Sequence, residues 1–391
     1  MTRTRRLSSR TRAVTEKGFL RFTQQIFGER LHAKTSLSLA LAALGVLHAT
    51  SLVIHGIGRG LAEATGRRAK STTKQVDRLL SNPNVALEVL FRPWIEFVVG
   101  PREEVVVALD WTDFDDDDQT TIALYLVTRH GRATPLVWKT VPKASLLHHR
   151  FGFESEVLDV LRDGLKPSIQ VTVLADRGFG DQKRYAHLTS LGFDYVIRFR
   201  DNVLVSDEHG TQKRASEWLH SSGRARKLER HAVTADCYIV PTLVLVHARG
   251  MKDRWCLASS LTGRKAQEIV KLYGKRFTIE ETFRDQKDLH FGMGLKATHI
   301  SDSRRRDRIL LLAAMAQALL TLLGEAGERA GLDRSLKVNT SPRRQLSLYR
   351  QGGFWYRALP NMPDDRADAL LEHFEEVLQE HAIFRQVLGV I

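Results

Sequence analysis

Two short apolar runs end in a carboxylate: residues 105–110 close on Asp110, and residues 169–176 close on Asp176. An acid that closes a buried strand stands at its carboxyl end, where open α/β sheets place their ligands. If the two strands are parallel neighbours, both carboxylates emerge at one sheet edge despite their separation along the chain. Carboxylate oxygens suit hard divalent cations, and a third acid is needed if a pair of metals is to be held. Glu280 is the candidate. Thr278 and Glu281 have capping-box spacing, which predicts a helix starting near Ile279. On that helix Glu280, Arg284 and Lys287 share one face, while Glu281 points about 100° away. One carboxylate beside two cations suits phosphate handling, the acid holding a metal and the bases gripping a backbone. The same spacing also describes a solvated helix face.

The elements around these residues read β-β-β-α-β-α-β from Glu103 to Phe199. Strand-like runs at 105–110, 120–127 and 134–141 are followed by a helical stretch at 154–165, the strand at 169–176, a helix at 181–191 and a strand at 195–199. Arg129-His130-Gly131-Arg132 supplies the hairpin turn between the second and third strands. Three antiparallel strands followed by right-handed crossovers give an α/β fold with a mixed five-stranded sheet and flanking helices, and set the first and fourth strands parallel and adjacent. That order resembles ribonuclease-H-like folds. The predicted organisation is a helical N-terminal domain at 1–100, the core in two parts at 101–201 and 260–330, a β-rich insertion at 202–259, and a helical C-terminal region at 331–391.

Within the N-terminal helices, residues 36–58 contain no Asp, Glu, Lys or Arg. His48, Thr50, Ser51, His55 and three glycines make this stretch two packed helices joined near 48–51, not a lipid-exposed span. A basic turn at 66–70 precedes a helix that runs through Leu80, with Ser71 or Thr72 as its cap and Lys74, Gln75 and Arg78 along it. Such a helix either reads a DNA groove or presents a solvated face.

Composition narrows the function classes. The chain has 391 residues, 43% hydrophobic and 27% charged, which excludes chain-wide disorder. Only Cys237 and Cys256 are present, without a Cys-x-x-Cys unit, so neither a disulfide scaffold nor a structural zinc site is expected, and a cytoplasmic setting fits. A net charge of +14 makes a polyanion, by default nucleic acid, the expected partner; charge for solubility is the alternative. Arg3, Arg5, Arg6, Arg10 and Arg12 form either a disordered tail or a DNA arm, and no secretory signal follows them. Asp113 and Asp115 to Asp118 read as a solvated loop, and His148-His149 as surface or structural residues. Trp255 by itself reads as a core aromatic.

Tyr273, Arg276, Glu280 and Lys287 reproduce a Tyr-x2-Arg-x3-Glu-x6-Lys signature, preceded by Leu109-Asp110-Trp111-Thr112 and Ala175-Asp176-Arg177-Gly178-Phe179. Over about residues 100–290 the chain resembles bacterial cut-and-paste DDE transposases of the insertion-sequence-four type. The resemblance implies that Asp110, Asp176 and Glu280 bind two Mg²⁺ ions, replaceable by Mn²⁺, and carry out phosphoryl transfer. It implies contacts to transposon-end phosphates from Tyr273, Arg276 and Lys287, with Arg198 at the position of a DNA-contacting arginine. Trp255 matches a tryptophan that stacks on a flipped base; Phe277 stands where relatives carry tryptophan. The implied reaction runs from nicking through hairpin formation and opening to strand transfer. A homodimer acts on double-stranded transposon ends and target DNA, with no membrane involved. Two rivals remain: a structure-specific nuclease on the same fold, and a DNA-binding protein descended from a transposase.

Overall fold

The computed structural model describes residues 16–384, apart from positions 235, 291, 339 and 342. The arginines between Arg3 and Arg12 lie outside the described residues. Helices come first: α1 (Glu16–Phe27), α2 (Ala33–Ala49), α3 (Ile54–Thr65), α4 (Ala69–Leu80) and α5 (Leu87–Val99). The uncharged stretch at 36–58 is divided between α2 and α3, which meet at 96°. Glycine permits this crossing, since a Cβ on Gly60 would lie 2.6 Å from the Gly45 carbonyl oxygen. Apolar side chains from Leu39 to Leu47 are buried along α2. Helix α4 starts earlier than its expected cap. It begins at Ala69 behind Gly66 (φ 68°), and Arg68 makes no side-chain capping bond. Thr72 instead turns inward and donates to the Gly58 carbonyl at 2.6 Å, which ties α4 to α3. Ser71, Lys74 and Arg78 remain exposed.

The next elements are β1 (Glu104–Phe114), β2 (Gln119–Leu126), β3 (Thr134–Pro142), α6 (Arg150–Gly164), β4 (Gln170–Ala175), α7 (Gln182–Ser190) and β5 (Asp194–Phe199). Strands β1, β2 and β3 pair antiparallel in sequence, while β1–β4 and β4–β5 are parallel. The sheet does not stop at five strands. The segment expected as an insertion supplies β6 (Leu204–Ser206), β7 (Gln212–Arg214), β8 (Arg226–Val233), β9 (Tyr238–Val246) and β10 (Trp255–Ser259), and these continue the same sheet. Its order is β3-β2-β1-β4-β5-β10-β9-β8-β6-β7, ten strands in all. The physical reason lies at β5. Its outer edge would otherwise leave backbone donors and acceptors unpaired beside a buried face, and β10 satisfies them from Cys256 to Ser259.

The chain then returns to helix: α8 (Ala266–Gly274), α9 (Thr278–Lys287), α10 (Ser303–Arg329), α11 (Leu348–Ala358) and α12 (Asp364–Phe384). Helix α10 is long and apolar enough to cross a membrane, yet 94% of its apolar window is buried inside the protein. One hydrophobic cluster joins the N-terminal helices, the sheet and α10. Trp94 of α5 donates its indole N–H to the Pro135 carbonyl of β3 at 2.8 Å, and Trp138 of β3 donates to the Asp307 carbonyl of α10 at 3.1 Å.

Candidate active site

Strand register positions the first two acids. Leu109 pairs with Ala175 at the end of the β1–β4 ladder, and the next residue on each strand is Asp110 or Asp176. Both carboxylates therefore follow directly on the end of the parallel β1–β4 ladder; β4 stops there, whereas β1, expected to close on Asp110, runs on to Phe114 against β2. Asp110 stays within the sheet, paired with Ala123 of β2, whereas the chain beyond Asp176 enters a 3₁₀ turn, Arg177–Phe179.

Glu280 arrives on a helix that has no separate start. A 3₁₀ turn, Lys275–Phe277, leads from α8 directly into α9, and Phe277 is already in the right-handed helical region. The expected capping box is absent for that reason: Thr278 donates its hydroxyl to the Lys275 carbonyl at 2.9 Å. Glu280 occupies the first turn of α9, one turn beyond Arg276.

Arg276 joins the acids. Its side chain is 5% exposed, and its two terminal nitrogens reach Asp110 Oδ2 at 3.0 Å and Glu280 Oε1 at 2.7 Å. Its guanidinium carbon lies 4.9 Å from the centre of the Phe277 ring. Asp176 faces a different pair: the Tyr273 hydroxyl donates to its Oδ1 at 3.3 Å, and Arg198 Nη1 lies 3.9 Å from the same oxygen. Burial pushes the Asp110 carboxyl up to about 6, against the opposing pull of Arg276 and of the Trp111 N–H; Glu280 and Asp176 add to the rise. Burial likewise pushes the Tyr273 phenol upward, which keeps it a proton donor.

These side chains are not arranged as a metal cage. Among the described residues, no group of three or more His, Cys, Asp or Glu is placed to hold a metal ion. The Arg276 guanidinium lies between two of the three acids. The donor set nevertheless fits a hard divalent cation, because it is carboxylate oxygen throughout.

The remaining expected residues divide into two groups. Trp255 is partly buried at the start of β10, with its ring 5.0 Å from Tyr273 and 6.1 Å from Phe277. These three aromatics lie together beside the acids, and Phe277 is exposed. Lys287 and Arg284 are drawn elsewhere. Lys287 donates to the Thr112 hydroxyl at 3.1 Å and to the Asp113 carbonyl, while Arg284 pairs with Glu281 on its own helix. Attraction to the nearer opposite charge thus takes Arg284 away from Glu280.

Three features escaped the sequence reading. Glu154 is buried on α6, accepts the Trp111 indole N–H at 2.8 Å and pairs with Arg184 at 2.6 Å, so it braces the residue next to Asp110. A carboxylate on the apolar stripe of Val157, Leu158 and Leu161 was the available signal. Asp117 departs from the solvated-loop expectation: it is nearly buried and pairs with the fully buried Arg306. Asp285 of α9 is buried as well, between Arg132 of the β2–β3 turn and Arg350 of α11. His148 and His149 are exposed, as surface residues would be.

A comparison with curated proteins finds no match. Residues 153–319 match the family model of the transposase DDE domain. The match takes in Asp176, Arg198, Trp255 and the stretch from Tyr273 to Lys287, and begins after Asp110. Joined to a mixed α/β fold consistent with a ribonuclease-H-like DDE domain, that match supports a DDE transposase, an enzyme class that acts on DNA and generally uses divalent metal ions.

Proposed function

We propose that this chain is a cut-and-paste DNA transposase of the insertion-sequence-four type, which nicks element ends, forms and opens a hairpin there, and joins the ends to target DNA. One observation carries the reading. Asp110 and Asp176 stand side by side where the parallel β1–β4 ladder ends, and Arg276 joins Asp110 to Glu280. Two Mg²⁺ ions bound by Asp110, Asp176 and Glu280, or Mn²⁺ in their place, would supply activation of the attacking water or 3′-hydroxyl and stabilisation of the leaving oxygen.

The chain's own side chains do the rest. Tyr273, Arg276 and Lys287 bind phosphates of the transposon end, and Arg198 and Arg284 extend that contact. Trp255, supported by Phe277, stacks on a base drawn out of the helix, which frees the strand for hairpin closure. Phe277 offers a smaller face than the tryptophan of relatives, so its share of stacking is weaker. The protein works in the cytoplasm on the nucleoid, as a homodimer that brings two ends together.

Matched inverted repeats in the DNA flanking the reading frame would identify the ends, and a strand-transfer assay on pre-cleaved ends then tests the proposal. Joined products that require divalent metal and disappear in Asp176→Ala are expected. Hydrolysis without joining would identify a nuclease, and activity that survives Asp176→Ala would leave a DNA-binding protein. In the same assay Trp255→Ala should spare the first nick and lower hairpin yield several-fold. Equal loss of both steps would remove the stacking role.

A further inference from the structure

Arg276 is more deeply buried than any of the acids it serves. Its side chain is 5% exposed against 20% for Asp110 and 50% for Glu280. It lies in the 3₁₀ turn that feeds α9, so it and Glu280 are one helical turn apart, while Asp110 comes from β1. One planar guanidinium spans both carboxylates, a geometry that a point charge cannot reproduce. Its Nε is buried and makes no hydrogen bond, and besides the two ion pairs its polar contact is with the Tyr273 hydroxyl. Aromatic contacts hold it in place, with Phe277 at 4.9 Å and Tyr273 at 5.9 Å.

We infer that Arg276 is the resident counterion of the metal-free site, and that a divalent cation competes with it for Asp110 and Glu280. This rests on reading the three acids as metal holders. Arg276 occupies Asp110 Oδ2 and Glu280 Oε1, and a cation brought to the same carboxylates meets its positive charge at close range, so metal binding and the Arg276 ion pairs oppose each other. The displaced guanidinium is then free for a phosphate, the other ligand for which its fork is shaped. Metal loading and phosphate binding would thereby favour each other through one side chain, as linkage requires. Arg276 is a positioning residue in this account: it holds Asp110 and Glu280 together until the metal takes over.

Mn²⁺ titration of the full-length protein without DNA, read by calorimetry and by the electron paramagnetic resonance of free Mn²⁺, tests this independently of activity. Arg276→Gln removes the competing charge and should bind Mn²⁺ about tenfold more tightly than the unsubstituted protein. Should Arg276→Gln fail to fold, as circular dichroism would show, Arg276→Lys serves; its point charge cannot bridge both acids, so a smaller gain is expected. Unchanged or weaker Mn²⁺ affinity in a folded variant overturns the inference. Asp110→Asn, placed in the Arg276→Gln background, should abolish the gain. Full binding retained there would locate the metal elsewhere and overturn the reading of the acids themselves.

Discussion

Asp307 lies on α10 beneath β3, where its carboxylate accepts the Thr140 N–H at 2.9 Å and burial pushes its pKa up to about 7. In the unfolded chain the same group titrates near 4. Below that value both states hold the proton and Asp307 is neutral towards stability. Between about 4 and 7 the folded state keeps a proton that the unfolded state has lost, so its contribution turns progressively against the fold, and above 7 the penalty is constant. Asparagine keeps the acceptor for Thr140 and cannot ionise. Asp307→Asn should therefore match the unsubstituted protein near pH 4.5 and exceed its melting temperature by about 1–3 °C at pH 8; a difference independent of pH would contradict the assignment. Asp110 and Asp176 were legible because an acid that ends an apolar strand has few other places to be. The bond from Arg276 to Asp110 and those of Glu154 to Trp111 and Arg184 were not, since these partners come from other elements and only the folded register brings them within reach.

Helices α10 and α11 meet through glycine. A Cβ on Gly352 would lie 1.8 Å from the Leu320 carbonyl oxygen, and one on Gly324 would lie 2.0 Å from that of Leu348. Both obstacles are backbone, so neither can rotate away. Gly352→Ala must separate the helices, at a cost of about 1–3 kcal/mol or more. Gly353→Ala is the control, because its Cβ would meet only the end of Arg357 at 3.9 Å. Alanine there gains roughly 0.5–1 kcal/mol of helix preference. Chemical denaturation should move the two variants in opposite directions, and a neutral Gly352→Ala would mean that the two helices do not touch as described. Element type was readable from periodicity along most of the chain, because strand alternation and helical stripes are local. Element ends and neighbours were less so. Thr72 and Thr278 carry good capping side chains, yet each found a carbonyl acceptor instead. Nothing local to β10 states that it will pair with β5.

At the scale of the whole molecule, the change from helix to strand near residue 100 suggests a domain boundary, but the contacts cross it freely. Phe91 of α5 packs on Trp138 of the sheet at 5.0 Å. The Leu52 N–H bonds to the Met293 carbonyl at 2.7 Å, close behind α9. Arg308 of α10 is buried and donates to the carbonyls of Leu80 and Val85 at 2.8 and 2.9 Å. A chain starting at residue 101 would lose both acceptors of a buried guanidinium and uncover the apolar face of β3, each a cost of the order of several kcal/mol. Folded proteins have only about 5–15 kcal/mol in reserve. The fragment 101–391 should therefore be insoluble or bind hydrophobic dyes, and co-expression with 1–100 should restore it. The intact chain should unfold in one step, with circular dichroism and tryptophan fluorescence changing together. A 101–391 fragment that melts cooperatively by itself would show that the N-terminal helices are an appended domain, free to engage DNA without moving the sheet. A single shared transition would mean that the N-terminal helices and the sheet that carries Asp110 and Asp176 fold as one unit.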